Sequence, residues 1–198
     1  MSTQPRTKPP EQRRTELMDA ALEIFLEKGV GPTTIEQITA GAGVAKGTFY
    51  LHFSSKEDVL GALRERFVRD LLQGVETAVG LCPRDDWKGR LEAWVRAAVE
   101  GYLDALRLHD IVFHESPPPY SREKHSNSKL VTHLTALLEG GCAAGAWRVE
   151  SPHTTAVFLF HGFHGMVDDA VAREKRVNRA RLVRSVASLF HAAVGSSP

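Results

Sequence analysis

The 198-residue sequence predicts an all-α protein with a small N-terminal helical domain and a larger C-terminal helical domain. Two observations carry this prediction. Apolar residues recur at i, i+3, i+4 and i+7 through most of the chain, which is the spacing of one face of an α-helix. Glycines and prolines fall at the ends of these segments, where helices stop or start. No segment has a convincing strand pattern.

The first predicted helix is amphipathic and runs from Arg13 to Lys28. Gly29 is placed to end it, because glycine adopts the backbone conformation that often follows a helix. Thr33 or Thr34 then caps a second helix that ends near Ala40. The apolar face of the first helix consists of Leu17, Ala20, Ala21, Ile24 and Phe25.

A glycine turn at Gly43 leads into a very short third helix, from Ala45 to about Leu51. Phe49 and Phe53 lie on its buried side. Two helices joined by a short glycine turn form a helix-turn-helix, whose second helix can enter a DNA major groove. Ser54 and Glu57 have the spacing of a capping box and predict the start of a fourth helix. The open side of the third helix carries Lys46, Gly47, Thr48, Tyr50 and His52.

Residues 10–62 resemble the DNA-binding domain of the TetR/AcrR family of bacterial repressors. Two positions depart from the family pattern. Ala45 stands where a serine usually caps the recognition helix, so one N–H loses its side-chain acceptor. Thr39 replaces a small alanine and can bond back to the helix backbone. The matching residues are Ile38, Ala42, Gly43, Val44, Lys46, Gly47, Thr48, Phe49, Tyr50, His52, Phe53, Lys56 and Glu57.

The resemblance implies a role for each matched residue. Lys46 and Gly47 start the recognition helix and are expected at base edges, and Glu36 and Gln37 on the second helix are expected to add a base contact. Alternatives stay open: Tyr50 as a packing aromatic, Lys56 as an exposed first-turn residue, and His52 as a local cap. The expected phosphate contacts are Tyr50, His52, Lys56 and the hydroxyls of Thr33, Thr34 and Thr48. The full predicted DNA-binding set is Thr33, Thr34, Gln37, Ala45, Lys46, Gly47, Thr48, Tyr50, His52 and Lys56.

The net charge is only +1, so any basic surface for DNA is local rather than spread over the molecule. The sequence divides into a flexible arm at 1–10, a helix-turn-helix domain at 11–56 and a ligand-binding and dimerisation domain at 57–198. Cys82 and Cys142 make no disulfide framework. With no signal peptide or membrane span in the sequence, a reduced cytoplasmic protein is expected.

The larger domain is predicted to be a series of helices. Their placement resembles that in the ligand-binding and dimerisation half of TetR-family proteins. They are predicted at 55–80, 85–108, 121–145, 152–172 and 178–194, with a proline-rich loop at 116–120. Asp85 or Asp86 caps the second of these. Ser151 caps the fourth, whose first position is Pro152.

Eight of the nine histidines lie beyond residue 100. His161, His164 and Asp168 share one helix face, and His109, Asp110, His114 and Glu115 cluster at the end of the preceding long helix. These groups fit a metal ion, a polar pocket, or plain packing. Polar pocket lining is favoured over metal sensing, so no metal or cofactor is expected. The predicted ligand-binding set is Trp94, Phe113, His114, His161, His164 and Asp168.

Gly162 and Gly165 lie beside Phe158 and Met166 on the predicted 152–172 helix. Small residues permit close helix approach and the larger side chains supply apolar area, so this helix and the next are predicted to form a dimer four-helix bundle. The alternative is that these glycines serve packing within one subunit.

Together these features predict a one-component transcriptional regulator, a repressor that binds palindromic operator DNA as a homodimer. A small-molecule effector is expected to modulate it. Three other classes compete: a metal sensor of the same fold, a helical metal-dependent enzyme, and a sequence-nonspecific architectural DNA protein. The N-terminal motif argues against the enzyme, and the low net charge argues against the architectural protein.

Overall fold

A computed structural model of the chain describes residues 9–115 and 129–195, and every regular element within them is helical. The fold class is therefore all-α, as the sequence predicts. In chain order the helices are α1 (Pro10–Lys28), α2 (Ile35–Gly41), α3 (Lys46–Tyr50), α4 (Lys56–Gly80), α5 (Trp87–Asp104), α6 (Leu106–His109), a π-helical segment (Asp110–Glu115), α7 (Lys129–Ala143), α8 (Pro152–Arg173) and α9 (Arg179–Ala193).

The described residues form two compact units. The first comprises 9–67 and 106–115, and the second comprises 68–105 and 129–195. None of the helices in these ranges combines the length and the apolarity needed to cross a membrane. Residues 1–8 of the predicted arm, the predicted loop at 116–120 and the predicted helical residues 121–128 lie outside the described residues.

The first unit is built around the apolar face of α1. Phe25 of α1, Ile38 of α2 and Phe49 of α3 are all buried in one cluster. Side chains from α4 complete this cluster, and α6 with the π-helical segment returns to it through Ile111 and Val112. α1 starts at Pro10, three residues before the predicted start, because a proline at the first helical position is already set for helix.

Turn chemistry fixes the short helices of the first unit. Gly29 and Gly43 have φ values of 81° and 63°, the left-handed region that glycine enters without strain. Thr34 caps α2, with its hydroxyl accepting from the Gln37 N–H and the Gln37 side chain accepting from the Thr34 N–H. This reciprocal pair is a capping box.

The start of α4 corrects one prediction. The capping box does not join Ser54 to Glu57. Instead the Asp58 N–H donates to Ser55 Oγ at 3.2 Å, and the Asp58 carboxylate accepts from the Ser54 N–H at 3.0 Å and from the Ser54 hydroxyl. The cap is shifted by one residue because α4 begins at Lys56, which makes Asp58 rather than Glu57 the third helical residue. These hydrogen bonds lower the pKa of Asp58 below its ordinary value.

In the second unit, α5 packs against α9 and α7 packs against α8. Leu91, Trp94, Val95, Ala98, Val99 and Tyr102 form the buried face of α5. Two predicted caps are confirmed, because Asp86 on α5 and Ser151 on α8 each accept a backbone N–H from the first turn of their helix. Asn178 caps α9 in the same way. The sequence also placed the ends of α8 and α9 within one residue of those observed.

The predicted single helix from Asp85 to Leu108 is wrong. α5 ends at Asp104, a turn at Ala105 follows, and the chain then continues as α6 and the π-helical segment. Apolar periodicity continues through this break, so the sequence pattern alone gives no sign of it.

Candidate nucleic-acid interface

The α2–turn–α3 segment presents a polar surface over a buried aromatic anchor. Phe49 is fully buried, and its ring contacts Tyr50 edge-on at 5.5 Å and Phe53 at 5.8 Å between centroids. Because α3 has only five residues, anchoring this one side chain turns the rest of the helix outward. Tyr50 is 53% exposed as a result.

Most of the predicted DNA-contact residues lie on this outer surface. Thr34, Ala45, Lys46, Gly47 and Tyr50 are exposed, whereas Gln37, Thr48, His52 and Lys56 are half-buried. A Cβ added at Gly47 would meet nothing within 4 Å. The described residues around Gly47 therefore leave room for a side chain. Ala45 provides no side-chain cap for α3, as the sequence predicts.

Thr33 does not match the expectation of an outward-facing hydroxyl. Its side chain is buried, and its Oγ1 donates to the Gly29 carbonyl at 2.7 Å. This bond ties the α1–α2 turn together, so the hydroxyl is not presented to a phosphate. Thr39 likewise bonds back to its own helix, donating to the carbonyls of Ile35 and Glu36, as the sequence predicts.

Lys56 has a structural role that the sequence did not reveal. Its ammonium group donates to three backbone carbonyls of the α1–α2 turn, Val30 at 2.8 Å, Gly31 at 2.8 Å and Thr33 at 3.1 Å. An ammonium group has three N–H donors, so these carbonyls engage all of them. Lys56 therefore holds the turn that leads into α2, and its positive charge stays beside the α2 N-terminus.

Lys46 of α3 is paired with Glu36 of α2. The Lys46 ammonium donates to Glu36 Oε1 at 2.5 Å, and the two side chains are 53% and 63% exposed. The hydrogen bond lowers the pKa of Glu36 and raises that of Lys46, so both groups are charged at neutral pH. The ion pair links the two helices on their outer side.

A shallow groove of about 350 Å³ lies between the start of α2, Lys46 and the start of α4. Lysines, hydroxyls and carboxylates share this groove, so its charge is mixed rather than uniformly basic. It is lined by Thr33, Thr34, Ile35, Glu36, Lys46, Ser54, Ser55, Lys56 and Glu57.

The predicted ligand-binding residues do not all come together. Phe113 lies in the first unit, where its ring contacts Phe67 and His109 and Arg64 lies over it at 5.5 Å. The side chain of His114 lies outside the described residues. His161 is exposed on α8. The sequence pattern grouped Phe113 with the other predicted ligand-binding residues. In the structure, however, this residue belongs to the first unit.

Trp94, His164 and Asp168 do lie in the second unit, with two partners that the sequence analysis missed. The Tyr102 hydroxyl donates to Asp168 Oδ1 at 2.7 Å, and the Tyr102 ring contacts His164 at 5.3 Å. The Trp94 indole N–H donates to His133 Nδ1 at 3.2 Å. Tyr102 continues the buried stripe of α5, which is the signal that could have identified it.

Burial controls the charge of these histidines. Loss of solvent lowers the pKa of His164 and of His133 below the ordinary value of 6.5. His164 Nδ1 also donates to the Phe160 carbonyl at 3.0 Å. Both half-buried imidazoles of the second unit thus favour the neutral, hydrogen-bonded form. Among the described residues, no group of three or more histidine, cysteine or acidic side chains is arranged to hold a metal ion.

The predicted dimer residues form an open face on α8. Phe158 is 70% exposed, Gly162 and Gly165 are exposed, and Met166 is half-buried. A Cβ added at either glycine would meet nothing within 4 Å. Close packing within the subunit therefore does not account for the glycines. Leu189 of α9 is also exposed, at 55%.

The geometry defines a helix-turn-helix protein with a larger all-helical second unit. Residues 17–63 match the family described as "Bacterial regulatory proteins, tetR family". The helix-turn-helix segment of the chain is therefore similar to the DNA-binding domain of this family.

Curated relatives match over about half of the chain. The HTH-type transcriptional activator FasR of Mycolicibacterium smegmatis is 38% identical over 102 residues, which cover 52% of this chain and 43% of that protein. The HTH-type transcriptional repressor KstR2 of Rhodococcus jostii is 38% identical over 95 residues, covering 47% and 44%. The matched region thus spans less than half the length of these relatives.

The fold is similar to solved structures over most of the chain. A crystal structure of a TetR-family regulator from Mesorhizobium loti superposes with a TM-score of 0.76, covering 93% of this chain and 98% of that one at 20% sequence identity. At this identity the similarity shows the fold of the second unit alone. The chemistry of its side chains must be taken from this chain.

Proposed function

We propose that this protein is a ligand-responsive transcriptional repressor that binds a palindromic operator as a homodimer. The observation that carries the proposal is the outward polar face of α3, held by the buried Phe49 within a TetR-family domain. A five-residue helix anchored in this way has a surface suited to a major groove rather than to a protein core.

Contacts to DNA divide into two kinds. Tyr50, His52, Thr34 and Thr48 supply short hydrogen-bonding groups around α3 and fix its register on the phosphates. Lys46 and Gly47 lie at the start of α3, where base edges are read. Lys56 adds positive charge beside the phosphates while holding the α1–α2 turn.

Dimerisation joins the open faces of α8 and α9. An exposed phenylalanine beside two exposed glycines gives apolar area and room for a second helix to approach. Two copies then present two α3 helices, which read successive major grooves about 34–36 Å apart.

The effector binds in the second unit. Tyr102, His164 and the Trp94–His133 pair provide polar groups inside an apolar core, a combination that fits a mainly apolar small molecule with a hydrogen-bonding end. Such a ligand shifts the operator affinity only through its different affinity for two states of the protein. The relatives include an activator and a repressor. We propose repression because an operator-bound dimer by itself occludes the DNA that it covers.

The test is selection of random duplex DNA by the full-length protein, followed by sequencing of the bound fraction. The proposal predicts enrichment of an inverted repeat whose half-sites are centred about 10–10.5 base pairs, or a multiple of that, apart. A bound fraction without sequence enrichment would contradict it.

A further inference from the structure

The Glu36–Lys46 ion pair lies on the proposed DNA-reading surface. It places a carboxylate and an ammonium group 2.5 Å apart on the outer side of α2 and α3. Both side chains are more than half exposed, and the fold around them is held by other groups, the buried Ile38 and Phe49. An exposed ion pair of this kind contributes little to folding stability. The pair is therefore more important for binding a partner than for folding.

The pair matches one pattern in the major groove. Guanine presents N7 and O6 as acceptors, and the cytosine paired with it presents an N4 amino donor beside them. An ammonium group can donate to the guanine N7 and O6, and a carboxylate can accept from the cytosine N4 amino group. Because Lys46 and Glu36 already lie in hydrogen-bond contact, neighbouring acceptor and donor groups of one G·C pair suit both side chains at once.

We propose that Glu36 and Lys46 read one G·C base pair in each operator half-site as a unit, with Glu36 as the specificity-determining residue that excludes other pairs. This inference rests on the proposed operator binding. Reversing the base pair exchanges donor and acceptor, and a thymine at the cytosine position places its O4 acceptor against the carboxylate. In each case a charged group loses its partner in a desolvated groove, which costs affinity.

Glu36 also limits binding to arbitrary sequence. The paired groups carry no net charge together, so Lys46 adds little attraction to phosphates while Glu36 holds it. Removing the carboxylate frees one positive charge in each subunit. Non-cognate affinity then rises and the salt dependence becomes steeper, because each freed cation displaces about one further counterion.

The experiment compares the intact protein with Glu36→Gln, using selection from random duplex DNA and then titration of the selected operator and its single-pair variants. For the wild type we expect a preference of about 10-fold to 100-fold for G·C at one symmetric pair of positions. Glu36→Gln should reduce this preference to below about 5-fold and steepen the salt slope by about one unit per subunit.

A matched control and a double mutant make the result specific. Glu27→Gln removes the same charge from an exposed site on α1 and should leave the base preference unchanged. Lys46→Gln should abolish the base preference, and adding Glu36→Gln to it should alter that preference no further, since the pair reads the base pair as a unit. Circular dichroism on each variant establishes that α2 and α3 remain folded.

Two results would overturn the inference while leaving operator binding intact: an unchanged preference in Glu36→Gln, or effects of the two substitutions that simply add. An altered preference at a position that is not G·C would overturn it as well. If the wild type selects no sequence, the proposed function fails, and this inference fails with it.

Discussion

The two units of the molecule place their polar groups in opposite ways. In the first unit the groups lie outside, on α2 and α3, over a buried anchor at Phe49. In the second unit Tyr102 and the Trp94–His133 pair lie within the packed helices. The outer groups can meet a large, charged partner such as DNA. The inner groups hydrogen-bond to each other, and we propose that they also bind a small molecule.

Substitutions on the proposed dimer face of α8 should have a stronger effect than substitutions in either group of polar residues. Gly162→Glu on α8 should place a charge in the apolar dimer face and yield monomers by light scattering. Operator affinity should fall by about 100-fold or more, because one half-site no longer raises the effective concentration of the other. Gly165→Arg should act in the same way.

Gly74→Glu is the matched control for this prediction. Gly74 is an exposed glycine on α4 where a Cβ would also meet nothing within 4 Å. This variant should stay dimeric and bind the operator normally. Dimers in both Gly162→Glu and Gly165→Arg, with normal DNA binding, would place the interface elsewhere.

The variant Lys56→Ala distinguishes two roles of this side chain in the first unit, namely stabilising the fold and contacting DNA. Loss of three ammonium–carbonyl hydrogen bonds should destabilise this unit by about 2 kcal/mol, seen in urea unfolding. Cognate and non-cognate affinity should fall by similar factors, and the salt slope should drop by about one unit. Lys28→Ala removes the same charge from the end of α1 and serves as control. If the salt slope of Lys56→Ala equals that of the wild type, Lys56 only stabilises the turn at residues 30–33 and does not contact DNA.

Tyr50→Phe removes only a hydroxyl from the outer face of α3. The ring should keep its edge contact with Phe49, so the fold is retained. We expect the affinity for operator and for random DNA to fall by the same factor, about 3-fold to 10-fold, because a phosphate contact carries no sequence information. Unchanged affinity in a filter-binding titration would instead make Tyr50 a packing aromatic.

The smallest expected effect concerns the inner groups of the second unit. His133 and His164 have pKa values below 6.5 in the folded protein, so the unfolded chain takes up their protons first as the pH falls. The stability that these two histidines contribute is therefore fully present above about pH 6.5 and is lost as the pH falls below it. Protonation of His133 also removes the acceptor of the Trp94 indole N–H.

Urea unfolding at about pH 7.5 and about pH 5.5 measures this decline. His133→Gln should make the two midpoints more alike than in the wild type, whereas His153→Gln, at an exposed position of α8, should not. An equal decline in both variants would mean that His133 does not contribute.

Sequence reasoning succeeded where structure depends on neighbours in the chain. The turn at Gly43, the Thr34 cap and the Ser151 cap each follow from residues one to three positions apart. The buried side of α3 followed from its two phenylalanines. These local rules predicted the open surface that carries the candidate DNA contacts.

It fell short where a group's partner is distant in the chain. The carbonyls that Lys56 binds are 23 to 26 residues away, and the Tyr102 hydroxyl reaches Asp168, 66 residues on. Burial of the Thr33 hydroxyl, the break at Ala105 and the place of Phe113 in the first unit depend on packing in the same way. No pattern of spacing encodes such contacts.

In the proposed complex, the two α3 helices of one dimer bind one operator together. The most direct measurement is the affinity for the selected operator after about five base pairs, half a helical turn, are inserted between its half-sites. The insertion turns one half-site to the opposite face of the duplex, so we predict an affinity loss of about 100-fold. The complex on the uninterrupted operator should contain two chains in analytical ultracentrifugation. Equal affinity for the two duplexes would contradict the claim.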